Sequence, residues 1–193
     1  MSRNLLFIIV IVFIIGVNAN GRYVVKKNSI RIVHPYGLMS KQYDAAVADF
    51  GIPFDGDAMV GSVLYPRKNS HACKPFDGVE NGEQPFRSNS TPPIILLVDR
   101  GSNMFFFPGC FFALKVYNGM QAGAAAVLVA DDIDEPLIST PESPKKVLYI
   151  EKIGIPSALI DRAFGETLKA AVQKGEEDVV LKLYWTDLMA NSD

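Results

Sequence analysis

The sequence predicts an α/β domain built on a mixed β-sheet, with helices covering one side of the sheet. Three observations lead to this prediction. Short apolar runs separated by turn residues occupy the first half of the chain, and two strand–helix–strand patterns follow them. The 193 residues, 49% of them hydrophobic, suffice for one domain with its own core. The net charge of −2 and the lack of a basic cluster argue against nucleic-acid binding.

Short apolar runs in the first half predict strands that pair in an antiparallel manner. Runs at 23–25 and 29–33 are separated by three polar residues, and a third strand is predicted at 59–65, before a proline. Segment 50–57 is rich in Gly and Pro and therefore predicts a loop. Residues 74–93 are rich in Pro, Gly, Asn and Ser, which predicts a long surface loop.

The second half begins with a predicted strand–helix–strand unit. Residues 93–98 form a continuous apolar run, as in strands that are buried on both faces. Phe112, Val116 and Met120 follow at helical spacing and predict a helix. Residues 124–130 predict the next buried strand.

A second unit completes the predicted domain. Residues 155–160 predict a strand, and a helix follows it, with Asp161 as the N-cap and Gly175 just beyond the last turn. Residues 179–185 predict the closing strand. The apolar stripe of this second helix is Phe164, Leu168, Ala171 and Val172.

Residues 1–19 predict a secretory signal peptide, which leaves residues 20–193 as the mature domain. Arg3 precedes an apolar run at 5–17 that is shorter than the ~20 residues a membrane-spanning helix needs. Small residues then precede a cleavage site after Ala19. A retained N-terminal anchor is the alternative. No other apolar stretch has a comparable length, so we expect no transmembrane helix in the mature chain.

Passage into the secretory pathway affects the interpretation of the cysteines. Cys73 and Cys110 are the only two in the chain, so an oxidising lumen allows a single disulfide between them. Two free thiols are the alternative. Asn89 begins an Asn-Ser-Thr sequon and is a candidate glycosylation site, with an ordinary polar turn as the alternative.

The sequence contains no recognisable catalytic constellation. The two histidines, His34 and His71, lack a nucleophile elbow, and no His or Cys pair has metal-ligand spacing. The acidic segment 131–135 lacks the pattern of a calcium loop, so we interpret it as a solvated turn after a strand. We therefore expect no enzyme, no metal and no cofactor, and we interpret the chain as a secreted binding module.

Eight collinear stretches resemble the protease-associated (PA) domain of plant vacuolar sorting receptors. The resemblance implies a barrel-like core of the swivelling β/β/α type over residues 20–193, flanked by helices. It also implies a luminal module that recognises sorting-signal peptides of soluble vacuolar proteins. The compartments implied are the Golgi, the trans-Golgi network and the prevacuolar compartment, and full-length relatives are single-pass membrane proteins. The stretches are 22–28, 49–53, 63–66, 97–101, 110–118, 121–132, 135–138 and 155–160.

The family's cargo-contacting motif, Arg-Gly-x-Cys-x-Phe, falls on Arg100, Gly101, Cys110 and Phe112. Arginine offers donors to carboxylates and carbonyls, glycine permits close backbone approach, and a disulfide pins the loop. The motif is interrupted here, because residues 102–109 stand where the family has a single residue. We expect the seven extra residues to weaken or re-specify cargo binding.

Several alternatives stay open. The insert at 102–109 contains an apolar patch that either aggregates or packs as an anchor, and its Phe-Phe-Phe-Pro run also resembles translated intron. Arg100 could pair with a carboxylate, and Phe111 and Phe112 could belong to the core. The whole chain could be a truncated soluble relative without sorting activity, or a PA domain from a secreted hydrolase. His34 and His71 are candidates for a pH-sensitive contact.

Overall fold

The computed structural model describes most of the predicted mature domain. The predicted signal peptide, the sequon at Asn89, most of the predicted 74–93 loop and the insert at 102–109 lie outside the described residues. The described residues are 24–39, 42–48, 50–51, 58–76, 91–101, 110–137 and 148–184.

Seven strands within these residues form one closed barrel. Their order around the barrel is β1-β2-β6-β5-β4-β3-β7, and β7 pairs with β1 to close it. Strands β3, β4, β5 and β6 run parallel, whereas β1, β2 and β7 pair antiparallel with their neighbours. The predicted mixed, barrel-like sheet is therefore confirmed. The strands are β1 Val24–His34, β2 Gln42–Val47, β3 Met59–Leu64, β4 Ile94–Asp99, β5 Ala126–Ala130, β6 Ser157–Ile160 and β7 Val180–Leu183.

Two α-helices of the described residues connect strands that are consecutive in the chain. Helix α1, Phe112–Gln121, lies between β4 and β5, and helix α2, Arg162–Lys174, lies between β6 and β7. Both ends of α2 agree with the prediction. The side chain of Asp161 accepts a hydrogen bond from the Phe164 N–H at 2.8 Å, and Gly175 ends the helix with a φ of 66°. Neither helix combines the length and hydropathy that crossing a membrane requires.

The helices pack on opposite faces of the sheet. In β4, Leu97 belongs to an apolar cluster with Phe164 of α2, whereas the next residue, Val98, belongs to a cluster with Phe112 of α1. The expectation that helices cover one side of the sheet is corrected by this arrangement. A continuous apolar run predicts burial on both faces but does not specify which helix covers which face.

The first half of the barrel differs from the sequence prediction in two strands. Strand β1 is continuous through the polar residues that separate its two apolar runs, and its pairing with β2 shifts register between Lys26 and Ile30. Strand β2 has no counterpart in the prediction. Its apolar character rests largely on two alanines, Ala45 and Ala46, which are buried on opposite faces of the sheet.

Candidate functional site

Arg100 and Gly101 follow β4 at the carboxyl edge of the parallel strands. The Arg100 N–H donates to the Ala130 carbonyl at 2.8 Å, and the Asp131 N–H donates to the Ile160 carbonyl at 2.9 Å. These bonds join the ends of β4, β5 and β6 at one edge of the barrel. The carboxyl edge of parallel strands is a common position for ligand sites in α/β proteins.

The Arg100 guanidinium is paired with two carboxylates. Its Nη1 donates to both Asp131 oxygens, at 2.8 and 2.9 Å, and to Glu135 Oε1 at 2.6 Å. Burial alone would lower the pKa of Arg100, but hydrogen bonds to Glu135 and Asp131 outweigh it and raise that pKa. The side chain is 13% exposed. The structure thus agrees with the alternative that Arg100 pairs with carboxylates at a strand end.

The same pairing corrects the interpretation of segment 131–135 as a solvated turn. Asp131 is buried, whereas Asp132 and Asp134 are exposed. A carboxylate remains charged in a buried position when a cation and hydrogen bonds compensate its lost hydration. Arg100 provides the cation, and the N–H of Ile133 donates to Asp131 Oδ1 at 3.1 Å.

Asp99 fixes the same strand end from the α2 face. Its Oδ2 accepts a hydrogen bond from the Tyr65 hydroxyl at 2.8 Å, and its Oδ1 lies 2.6 Å from Lys169 Nζ. Burial alone would raise the pKa of Asp99, but the interactions with Lys169 and Tyr65 outweigh it and lower that pKa. Consecutive residues of the strand end are therefore held on opposite faces of the sheet.

A tight turn at residues 69–74, which we name the His71 turn, lies beside Arg100 and Gly101. The Asn69 side chain bridges it, because its Nδ2 donates to the Lys74 carbonyl at 2.8 Å and its Oδ1 accepts from the Lys74 N–H. Asn69 and Ala72 have φ angles of 53° and 50°, and among the described residues they are the non-glycine positions with positive φ. Left-handed backbone at alanine costs about 1–2 kcal/mol, so other contacts must stabilise this turn.

Helix α1 and its preceding residue supply those contacts. The disulfide between Cys73 and Cys110 joins the turn to the start of α1, with the two Cα atoms 5.4 Å apart, which confirms the predicted pairing. Lys115 Nζ donates to the His71 carbonyl at 2.7 Å and to the Asp99 carbonyl at 3.0 Å. Asn118 Nδ2 donates to the Ala72 carbonyl at 2.8 Å.

Lys115 is a buried cation that the sequence reasoning missed. Burial lowers its pKa to about 8, against the opposing attraction of Asp99 and Asp132. A signal was present, because Lys115 and Asn118 lie at helical spacing beside the apolar stripe that begins at Phe112. Polar residues beside a buried stripe are expected to find partners in the protein interior.

Gly101 lies directly against the His71 ring. Its φ is 79°, and a Cβ at this position would be 2.6 Å from His71 Cδ2, so no other residue fits without rearrangement. Cys110 Sγ is 3.7 Å from the His71 carbonyl oxygen. The two parts of the interrupted motif, Gly101 and Cys110, thus both lie beside His71.

The aromatic residues after Cys110 occupy different environments. Phe112 is fully buried in the α1 cluster, in agreement with the core interpretation. Phe111 is 46% exposed and does not belong to that core. His34 lies far from this region, level with the start of β4, where its Nε2 is 3.3 Å from Glu177 Oε2. The structure therefore does not bring the two histidines together.

A protein-family model described as the PA domain matches residues 59–168. The chain belongs to the PA domain family. Within the residues that the structure describes, this PA domain has no group of three or more His, Cys, Asp or Glu side chains that could hold a metal ion.

Vacuolar-sorting receptors are among the curated relatives of this PA domain. It is 47% identical over 176 residues to vacuolar-sorting receptor 6 of Arabidopsis thaliana, covering 90% of this chain and 26% of the receptor. It is 46% identical over 179 residues to vacuolar-sorting receptor 1 of Pisum sativum, covering 91% of this chain and 26% of the receptor. The resemblance predicted from the sequence is confirmed, and the chain spans about a quarter of the length of these relatives.

A solved structure of an aminopeptidase from Aneurinibacillus sp. strain AM-1 also matches this PA domain. The TM-score is 0.48 at 15% sequence identity, and the match covers 83% of this chain and 30% of the aminopeptidase.

Proposed function

We propose that this PA domain is a luminal, non-enzymatic module that binds sorting-signal peptides of soluble vacuolar proteins and serves their transport from the Golgi to prevacuolar compartments. The observation that supports the proposal best is the position of Arg100. Its guanidinium is fixed at the carboxyl edge of the barrel, and the next residue, Gly101, lies against His71 in the turn that the Cys73–Cys110 disulfide holds.

The pairing of Arg100 leaves donors for a ligand. Among the described residues, the hydrogen bonds of its side chain all involve Nη1. Asp131 and Glu135 thus orient the planar guanidinium, and Nε and Nη2 are the donors offered to a peptide carbonyl or carboxylate. A side chain that is oriented before binding loses less conformational entropy when the ligand arrives.

Gly101, Cys110 and Phe112 support this contact in different ways. Gly101 has no side chain to block a peptide backbone, and the Cys110 disulfide fixes the neighbouring turn. Phe112 is buried, so its contribution is to pack α1 under the site rather than to touch the ligand.

Replacing Arg100 tests the proposal. Arg100→Lys retains a cation for Asp131 and Glu135 but removes the planar guanidinium with its several N–H donors. We therefore expect the variant to fold and its Kd for the peptide to rise at least tenfold. Binding is measured by fluorescence anisotropy with a fluorescein-labelled peptide that carries the sorting sequence of a soluble vacuolar protein. Arg162→Lys, at an exposed position at the start of α2, is the matched control and should bind like the wild type. Equal affinities for Arg100→Lys and wild type would contradict the role of Arg100.

A further inference from the structure

We propose that the His71 turn forms part of the peptide-binding surface and that the His71 imidazole contacts the peptide held by Arg100. The inference rests on the proposed function and adds to it a binding residue that the motif does not contain. Three observations carry it: the backbone conformation of the turn, the way in which the turn is held, and the position of the His71 ring.

The turn is held in an unfavourable conformation around the two residues that it presents. Asn69 and Ala72, which have left-handed backbone, flank Ser70 and His71. Backbone of this kind persists only where surrounding contacts determine it, and such positions are enriched at ligand sites. The dipeptide Ser70–His71 is thus presented by a turn whose geometry is fixed in advance.

The long-range hydrogen bonds and the disulfide that hold the turn use its backbone and Cys73. Lys115 binds the carbonyl of His71, Asn118 binds the carbonyl of Ala72, and the disulfide holds Cys73. The side chain of His71 is exposed. The long-range bonds to this turn therefore do not depend on the identity of the His71 side chain.

The ring occupies a position that suits a ligand contact. It lies against Gly101, the residue after Arg100, and its Nδ1 is 3.3 Å from the Ser70 hydroxyl oxygen. Nδ1 thus faces Ser70, and Nε2 is the ring nitrogen that can bind a ligand, as a donor or as an acceptor. His71 Nε2 and the Arg100 nitrogens that have no partner among the described residues therefore offer hydrogen bonds to one extended peptide, whose backbone carries both donors and acceptors.

Two substitutions of His71 test this contact with the peptide used for Arg100. His71→Ala removes the imidazole contact, so we expect the Kd to rise at least fivefold. His71→Gln replaces the ring by an amide that can donate or accept a hydrogen bond, and it should recover part of the affinity. His34→Ala is the matched control, because His34 lies level with the opposite end of β4, and it should bind like the wild type. Thermal unfolding of each variant shows whether the fold is retained.

Chemical modification of the unaltered protein provides a second measurement. His34 and His71 are the only histidines of the chain, so their reaction with diethyl pyrocarbonate can be followed by peptide mass spectrometry. We expect the bound peptide to slow modification of His71 at least threefold and to leave that of His34 unchanged. Peptide binding with equal modification of His71 and an unaltered Kd in His71→Ala would overturn the inference alone. Failure of the wild-type protein to bind the peptide would overturn the proposed function as well.

Discussion

Two cations near the carboxyl edge of the barrel are compensated in different ways. Arg100 is paired with two carboxylates, which raise its pKa. Lys115 is held mainly by backbone carbonyls, and its burial lowers its pKa to about 8. The Arg100 pKa thus moves further from neutral pH, whereas the Lys115 pKa of about 8 lies where its titration can be measured.

The lowered pKa of Lys115 predicts how stability depends on pH. Between the folded pKa of about 8 and the ordinary value of 10.5, the unfolded chain binds more protons at this residue than the folded chain. The contribution of Lys115 to the free energy of unfolding therefore rises with pH across this range. Relative to Lys115→Met, we expect the wild type to gain about 2 kcal/mol between about pH 7 and about pH 9.5.

Urea unfolding of both proteins at the two pH values measures this difference. Subtracting the variant cancels the titration of tyrosines and other lysines, which is common to both. A constant difference between wild type and Lys115→Met would show that the Lys115 pKa is not lowered in the folded protein.

At the scale of elements, helices were easier to predict than the turns that build the site. The start and end of α2 follow from Asp161 and Gly175, because capping depends on residues adjacent in the chain. The motif also indicated Arg100 and Gly101 as candidate site residues, and the two cysteines correctly predicted the disulfide. The His71 turn escaped prediction because its conformation is imposed by side chains about 40 positions away, as in the bond from Lys115 to the His71 carbonyl.

Deleting residues 102–108 tests the expected effect of the insert on cargo binding. Gly101 and Cys110 both lie beside His71, so a shortened connection restores the motif spacing of the family without a large displacement of either residue. We expect the deletion to lower the Kd for the sorting peptide, measured by the anisotropy assay. Unchanged affinity would contradict a role of the insert in binding. Sequencing the transcript across codons 100–112 shows whether the extra segment is encoded in mature message.

At the scale of the whole molecule, the disulfide ties together two regions that are distant in the chain. Cys73 and Cys110 are separated by 37 positions, and a cross-link of this length contributes about 3–4 kcal/mol by restricting the unfolded chain. We expect Cys73→Ala/Cys110→Ala to lose about that amount in urea unfolding. A reductant should destabilise the wild type to a similar extent and leave the double variant unaffected. A wild type that is insensitive to complete reduction would contradict this contribution.

The closure of the barrel has a consequence for the timing of folding. Strand β7, near the end of the described residues, lies between β1 and β3. The barrel closes only when β7 has paired with both strands. Under the luminal location that we propose, the chain enters from its amino end and cannot complete the barrel until residue 183 has crossed the membrane. Until then, the edges of β1 and β3 that pair with β7 stay unpaired, and unpaired strand edges favour aggregation. In that location, we expect luminal chaperones to engage this domain before β7 has entered.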